Sequence, residues 1–265
     1  PDIFEPENDE NYRDIVDLIW FPTGGGKTEA YLAVLAFVII LRRIKDPDDI
    51  GVSAIMRYTL RLLTSDQFRR SSGLICALEF IRRESIFGIN LGTEEISIGL
   101  WIGQTASPRD DKTAKTWLND EKHKDRNGRY KFILNECPWC KSDLNEPKNS
   151  GYEIRPKGRK EKVIIFCPDE KCFYHESLPI YLWQESIWDK KPSLILSTVD
   201  SFAKLTWYKE AISLFFNEFS PPELIIQDEL HLISGPLGTI MGLYEVALLK
   251  LLTKVNLFFS NFFFF

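Results

Sequence analysis

Two runs of this chain carry residue types that suit nucleotide chemistry. Near the start, Phe21-Pro22-Thr23-Gly24-Gly25-Gly26-Lys27-Thr28 is a glycine-rich loop closing on Gly-Lys-Thr. Near the end, Leu224-Ile225-Ile226-Gln227-Asp228-Glu229-Leu230-His231 is an apolar run closing on adjacent carboxylates. Consecutive glycines reach positive φ at little steric cost, so their N–H groups can converge on an anion. A following helix would point its positive end at the same place. Lys27 is expected to reach the β- and γ-phosphates, with Mg²⁺ on the Thr28 hydroxyl. Asp228 is expected to share that Mg²⁺, and Glu229 to polarise an attacking water. The pair of runs makes ATP hydrolysis the leading expectation. One position departs from the strict loop pattern: Phe21 stands where it has Gly.

A second set of residues suits metal chemistry. Cys137-Pro138-Trp139-Cys140 and Cys167-Pro168-Asp169-Glu170-Lys171-Cys172 are two close cysteine pairs with 26 residues between them. Two such pairs on a long connector read as a four-thiolate zinc site of knuckle or ribbon type. No open coordination position is implied, so the zinc would be structural. His175 in place of Cys172 is the competing ligand choice, and disulfides the competing chemistry, disfavoured in a reducing compartment. Cys76 sits alone in an apolar stretch and reads as core.

The elements that must hold these groups alternate between strand and helix. Residues 17–21 read as a short buried strand and 28–41 as an apolar helix. Residues 54–60 read as a strand, and Thr64-Ser65-Asp66-Gln67 as a capping box opening a helix from Ser65 to about Glu84. Alternation over 96–102 gives a third strand, and the rhythm resumes at 193–197 before the Leu224 run. This order predicts an α/β fold with a mostly parallel sheet covered on both faces, the nucleotide lying at the carboxyl ends of its strands. Residues 105–180 break the rhythm with polar, basic, Gly- and Pro-punctuated sequence holding all four paired cysteines. The expected organisation is therefore a motor domain over 1–104 and 181–250, a basic zinc-binding insertion over 105–180, and a tail over 251–265.

Composition adds bounds. With 265 residues there is ample core for one large or two small domains. Net charge is −5, which gives no whole-chain nucleic-acid signature. Residues 105–162, however, hold fifteen Lys and Arg against ten Asp and Glu. Such an insert can meet phosphate backbones or simply be solvated. An acidic start without an apolar core gives no signal peptide, and no stretch suits a bilayer. A cytoplasmic chain without membrane contact is expected.

At this point a resemblance becomes specific. The loop with Glu29-Ala30, then Tyr58-Thr59-Leu60-Arg61-Leu62-Leu63-Thr64-Ser65-Asp66-Gln67, Ser197-Thr198-Val199-Asp200-Ser201-Phe202 and Asp228-Glu229-Leu230-His231 resemble the ordered motifs of superfamily 2 helicases. The stretch from Gln227 through Leu232-Ile233-Ser234-Gly235-Pro236-Leu237-Gly238, with the cysteine insertion, is similar to the large helicase of DISARM anti-phage systems. The resemblance implies a RecA-like first motor domain that moves on DNA using ATP. It implies cofactor contacts at Thr23, Gly24, Gly25, Gly26, Lys27, Thr28 and Glu29, and catalytic roles for Lys27, Asp228, Glu229 and His231, the last coupling the ATP site to nucleic acid. It implies sequence-independent backbone contacts at Thr59, Arg61, Gln67 and Thr198, and defence-system partner proteins.

Parts of that pattern are missing. Within these residues no stretch reads as a second RecA-like domain with an arginine finger, no Ser-Ala-Thr-type motif follows the Asp-Glu run, and no adenine-reading Gln precedes Phe21. Residues 256–265 include six Phe, which reads as a shifted frame or truncated product, or else as an apolar tail that docks on a partner. The expectation is weak Mg-ATP binding and slow or no turnover by this stretch alone. Two other readings stand beside it: an AAA+ ATPase of the clamp-loader kind, and a zinc-containing nucleic-acid-binding fragment without turnover.

Overall fold

The computed structural model describes residues 26–58, 61–102, 107–146, 148–158, 160–198, 201, 210, 213–215, 219–228, 242 and 262–264, with backbone alone for 61–65, 157, 160 and 262–264. The elements run α1 (Lys27–Lys45), β1 (Ala54–Tyr58), α2 (Arg61–Arg83), β2 (Ile98–Trp101), α3 (Asp111–Asn119), β3 (Tyr152–Lys157), β4 (Lys160–Ile165), β5 (Ile180–Tyr181), α4 (Gln184–Lys190), β6 (Leu194–Thr198), β7 (Leu224–Gln227) and β8 (Phe262–Phe264).

Strands buried along their whole length build the central sheet, with successive side chains alternating between its two faces. Its order is β5-β2-β6-β1-β7-β8, with every described pair parallel. Met56 lies between Leu196 and Ile226 in the register. Ala54, Met56, Leu194, Leu196, Leu224 and Ile226 point to one face, where Tyr31, Leu35 and Ile39 of α1 and Phe68 and Ile75 of α2 cover them. Ile55, Ile195, Ile225 and Trp101 point to the other, against Ile187 of α4, Leu214 and Phe215. The β7–β1–β6 run is thus buried on both sides, as a parallel sheet demands. Gly99 on β2 is required by close approach, because a Cβ there would meet Pro192 Cγ at 2.8 Å and Ile187 Cγ1 at 3.0 Å.

The region between β2 and β5 builds its own antiparallel hairpin, β3–β4, alongside α3 and the cysteine loops. It does not stand apart. Phe132, Leu134, Tyr152, Val163, Ile165 and Leu178 continue the core that lies under α1 and α2. β5 then returns the chain to the main sheet beside β2. The fold is α/β, a mostly parallel sheet with helices, consistent with a RecA-like domain carrying a cysteine-bearing insertion.

Several boundaries differ from the sequence expectation. α2 begins at Arg61, so Thr64 to Gln67 lie inside the helix and open nothing. Arg61, Leu62 and Leu63 are strong helix formers, and their propensity extends the helix past the local capping pattern. α1 runs on to Lys45, with Arg42, Arg43 and Lys45 at its carboxyl end, where cations are favoured. The strand expected over 96–102 is shorter because the Ile96 N–H donates to the Glu79 carboxylate instead of to a neighbouring strand. The expected strand at 17–21 lies outside the described residues.

Candidate nucleotide site and cysteine cluster

Because the strands are parallel, β1, β6 and β7 end on one edge, carrying Tyr58, Thr198 and Asp228 there. The amino end of α1 meets that edge. Gly26 caps α1 at φ 79 and has no side chain of its own to bond the first N–H groups. A Cβ on Gly26 would meet nothing nearer than Glu29 Oε2 at 4.0 Å, so the constraint is backbone conformation and not space. Helical N–H groups and the positive end of the helix dipole therefore converge where the glycine run arrives.

Lys27 Nζ pairs with Asp228 Oδ1 at 2.8 Å, with the lysine side chain 29% exposed and the aspartate 5%. About 200 residues of sequence separate the two. The pair has the charges that a magnesium–phosphate group needs: an ammonium for phosphate oxygen and a carboxylate for the cation. Asp228 is fixed by its backbone N–H, which donates to Arg57 O at 3.2 Å. Gln227 Nε2 donates to Asp228 O at 3.1 Å.

Thr28, the residue expected to hold Mg²⁺, has its own small network. Tyr31 donates its hydroxyl to Gln67 Oε1 at 2.8 Å and lies 3.2 Å from Thr28 Oγ1, while Gln67 Nε2 reaches that oxygen at 3.4 Å. Burial raises the Tyr31 phenol above its ordinary value, so it stays a donor. Glu29 pairs with Arg70 on α2. Thr198 is buried, and its hydroxyl pairs with Ser201 Oγ at 3.0 Å. Thr23, Gly24, Gly25, Thr59, Glu229 and His231 lie outside the described residues, and Arg61 is described by its backbone only. Sequence reasoning missed Tyr31, since a tyrosine on the apolar stripe of a helix looks like core.

The four paired cysteines meet. Cys137, Cys140, Cys167 and Cys172 place all four Sγ atoms within 4.8 Å of one another. Cys137 and Cys172 Sγ lie 3.9 Å apart, Cys140 and Cys167 3.3 Å. Tetrahedral zinc with Zn–S of about 2.3 Å sets sulfur atoms about 3.8 Å apart, so the donor set fits. All five cysteines are free thiols. His175 stands beside the set, its Nδ1 hydrogen-bonded with Cys167 O at 2.9 Å. Burial pushes the Cys167 thiol up and holds Cys172 at about 12. Burial also opposes ionisation of Cys140, yet hydrogen bonds with Ser142 and the neighbouring thiols bring it down to about 7. A bound cation would deprotonate the set outright.

The cluster is clamped to α2. Phe80 packs on Trp139 at 5.0 Å and edge-on to Phe173 at 4.9 Å. Tyr174 donates its hydroxyl to Cys76 O. Arg83 lies over the Phe173 and Tyr174 rings, and Arg69 pairs with Glu136 at 3.1 Å. One helix thus touches Thr28 of α1 through Gln67 and the cysteine module from Arg69 to Arg83.

No protein-family model matches the chain. Over 288 aligned positions it is 38% identical to the DISARM protein DrmA of Bacillus paralicheniformis, a match covering 91% of this chain and 25% of that protein. The chain is DrmA-like. It spans about a quarter of the length of the curated relative it matches. The match takes in nearly all of the chain, so α1, the cysteine module and the Asp228 strand fall within the DrmA-like stretch. Among the described residues no helix is long and apolar enough to cross a membrane.

Proposed function

We propose that this chain is the first motor domain of an ATP-dependent nucleic-acid translocase or helicase, working on DNA in DISARM anti-phage defence. The observation that carries the reading is the Lys27–Asp228 pair at 2.8 Å on the carboxyl edge of a parallel sheet. A glycine loop with Lys and an apolar strand with Asp have little reason to meet there except around a metal-bound phosphate.

Thr23, Gly24, Gly25, Gly26, Lys27, Thr28 and Glu29 would hold the nucleotide, with Thr28 and Asp228 as the Mg²⁺ residues. Bound there, Mg-ATP supplies the phosphoryl group and a cation that offsets charge on its oxygens. Lys27 places its ammonium against the phosphates, and Glu229 orients a water and accepts its proton. Thr59, Arg61, Gln67 and Thr198 would meet the nucleic-acid backbone. Gln67 also touches Thr28, which gives α2 a path from strand contact to metal residue, and His231 would serve the same coupling. Cys137, Cys140, Cys167 and Cys172 would hold a structural zinc ion that cross-links two loops against α2. A second RecA-like domain and defence-system partner proteins would come from outside this chain.

The test is ATP turnover by the longer protein with and without DNA. DNA should stimulate turnover, and both Lys27→Ala and Asp228→Asn should reduce it at least a hundredfold, about 3 kcal/mol of barrier. Unchanged turnover in Lys27→Ala would remove the phosphate-loop assignment. Salt-sensitive DNA binding with no turnover in the wild type would favour a binding module over a motor.

A further inference from the structure

The β3–β4 hairpin sets like charges directly opposite each other. In its register Arg155 faces Lys162 and Lys157 faces Lys160. These positions are two apart along each strand, so all four cations share one face. The other face is apolar toward its base, where Tyr152, Val163 and Ile165 are buried in the core. The basic face is therefore the outer one. Directly opposed like charges destabilise a strand pair, so these two pairs do not help the hairpin fold.

Among the described side chains of this face, two cations have carboxylate partners. Residues 155–162 read Arg-Pro-Lys-Gly-Arg-Lys-Glu-Lys, five cations and one acid. That acid, Glu161, stands opposite Pro156 on the other face and bonds Lys115 at 2.9 Å. At the base of the hairpin Arg155 pairs with Glu153 at 2.6 Å and Lys162 with Asp189 at 2.9 Å. Toward the tip, Gly158 is exposed at φ 64, and a Cβ built there would meet nothing within 4 Å.

The geometry points to the outer face of this hairpin as a second nucleic-acid contact, in which backbone phosphates lie across Arg155, Lys157, Lys160 and Lys162. It rests on the reading that the chain works on nucleic acid, but places a contact away from the phosphate-loop edge. Phosphate contacts from such a ladder carry no sequence information, and the ring beside it, Phe166, is covered by the Arg155 guanidinium at 4.9 Å.

The variant to make in the longer protein is Lys157→Gln/Lys160→Gln, with Lys160→Glu beside it. Each relieves the repulsion of the tip pair, so neither should lower Tm. The probes are a labelled duplex and a labelled oligo(dT) of equal length, titrated over a range of salt. For the double variant the slope of log K against log salt should become shallower by about two, at about 0.9 per lost duplex phosphate contact. Mg-ATP binding should not change. A greater loss on one probe names the strand form that the hairpin meets. Unchanged slopes on both probes, or no salt-sensitive binding by the wild type, would overturn the proposal, and the charges would then serve to block edge pairing. Normal Mg-ATP binding by Lys27→Ala would count against the phosphate loop alone and leave this slope untouched.

Discussion

Tyr31 shows how much of the site sits in one hydroxyl. Its ring belongs to the core stripe of α1, yet its oxygen joins Thr28 to Gln67. Tyr31→Phe keeps the ring and removes the donor, leaving Gln67 Oε1 short of a partner. Loss of one such bond is worth about 1 kcal/mol, so Mg-ATP affinity should fall about fivefold while Tm barely moves. Calorimetric titration with Mg-ATP beside a thermal melt checks both halves. Residues of this kind were hard to read from sequence. Lys27 and Asp228 announce themselves because glycines precede one and an apolar run precedes the other. Tyr31 carries no such context, and Gln67 lies in a stretch whose family match speaks of strand backbone and not of Thr28.

Helix α2 ties the Thr28 end of α1, the sheet and the cysteine module together, and its carboxyl end is locked by a buried carboxylate. Glu79 is fully buried and accepts from Arg82 Nε and Nη2 at 2.7 Å each, Arg83 Nε at 2.8 Å and the Ile96 N–H at 2.8 Å. Glu79→Ala would leave two arginines and a backbone donor without their shared acceptor. A cost of about 3 kcal/mol follows, read as a drop in the chemical-denaturation midpoint. The amino end of α3 is held more lightly. Asp110 accepts from Thr113 N and Oγ1 at 2.7 Å each, and the Thr113 side-chain bond, then the backbone bond, hold its carboxyl below the ordinary value. The folded pKa is the lower one, so the cap contributes fully above about pH 4, the unfolded value. It is lost as pH falls through the folded value. Asp110→Ala should cost about 1 kcal/mol at neutral pH and progressively less in acid, in paired melts across that range. Strand and helix order could be read from period and spacing, but the start of α2 could not. Thr64-Ser65-Asp66-Gln67 looks locally like a cap, and the helix propensity of Arg61, Leu62 and Leu63 carries the helix past it. Glu79 gave no signal, because its partners Arg82, Arg83 and Ile96 look like an ordinary charged helix end and a strand start.

For the whole molecule, the insertion is part of the same core and not an appendage. Phe80, Trp139, Phe173 and Tyr174 make one aromatic cluster across α2 and both cysteine loops. Zinc removal should therefore be felt beyond the cysteine loops. Chelation should release one zinc per chain, lower Tm, and raise Trp139 exposure in quenching; Cys137→Ser/Cys172→Ser should do the same without chelator. A chain that retains its Tm and binds no zinc would contradict the four-thiolate assignment. The cysteine pairs were plain in sequence because their spacing is itself the signal, whereas their seat on α2 depends on rings scattered over about 100 residues. The chain spans a quarter of its DrmA relative, so turnover and movement on DNA are properties to assay in the longer protein. The proposed nucleotide site is local to the Lys27–Asp228 edge. The most direct measurement is calorimetric titration of Mg-ATP into the protein and into its Lys27→Ala variant, with matched circular dichroism. Saturable one-site binding that the variant loses by at least tenfold is the predicted result; equal binding by both, or none by the wild type, would contradict the nucleotide site.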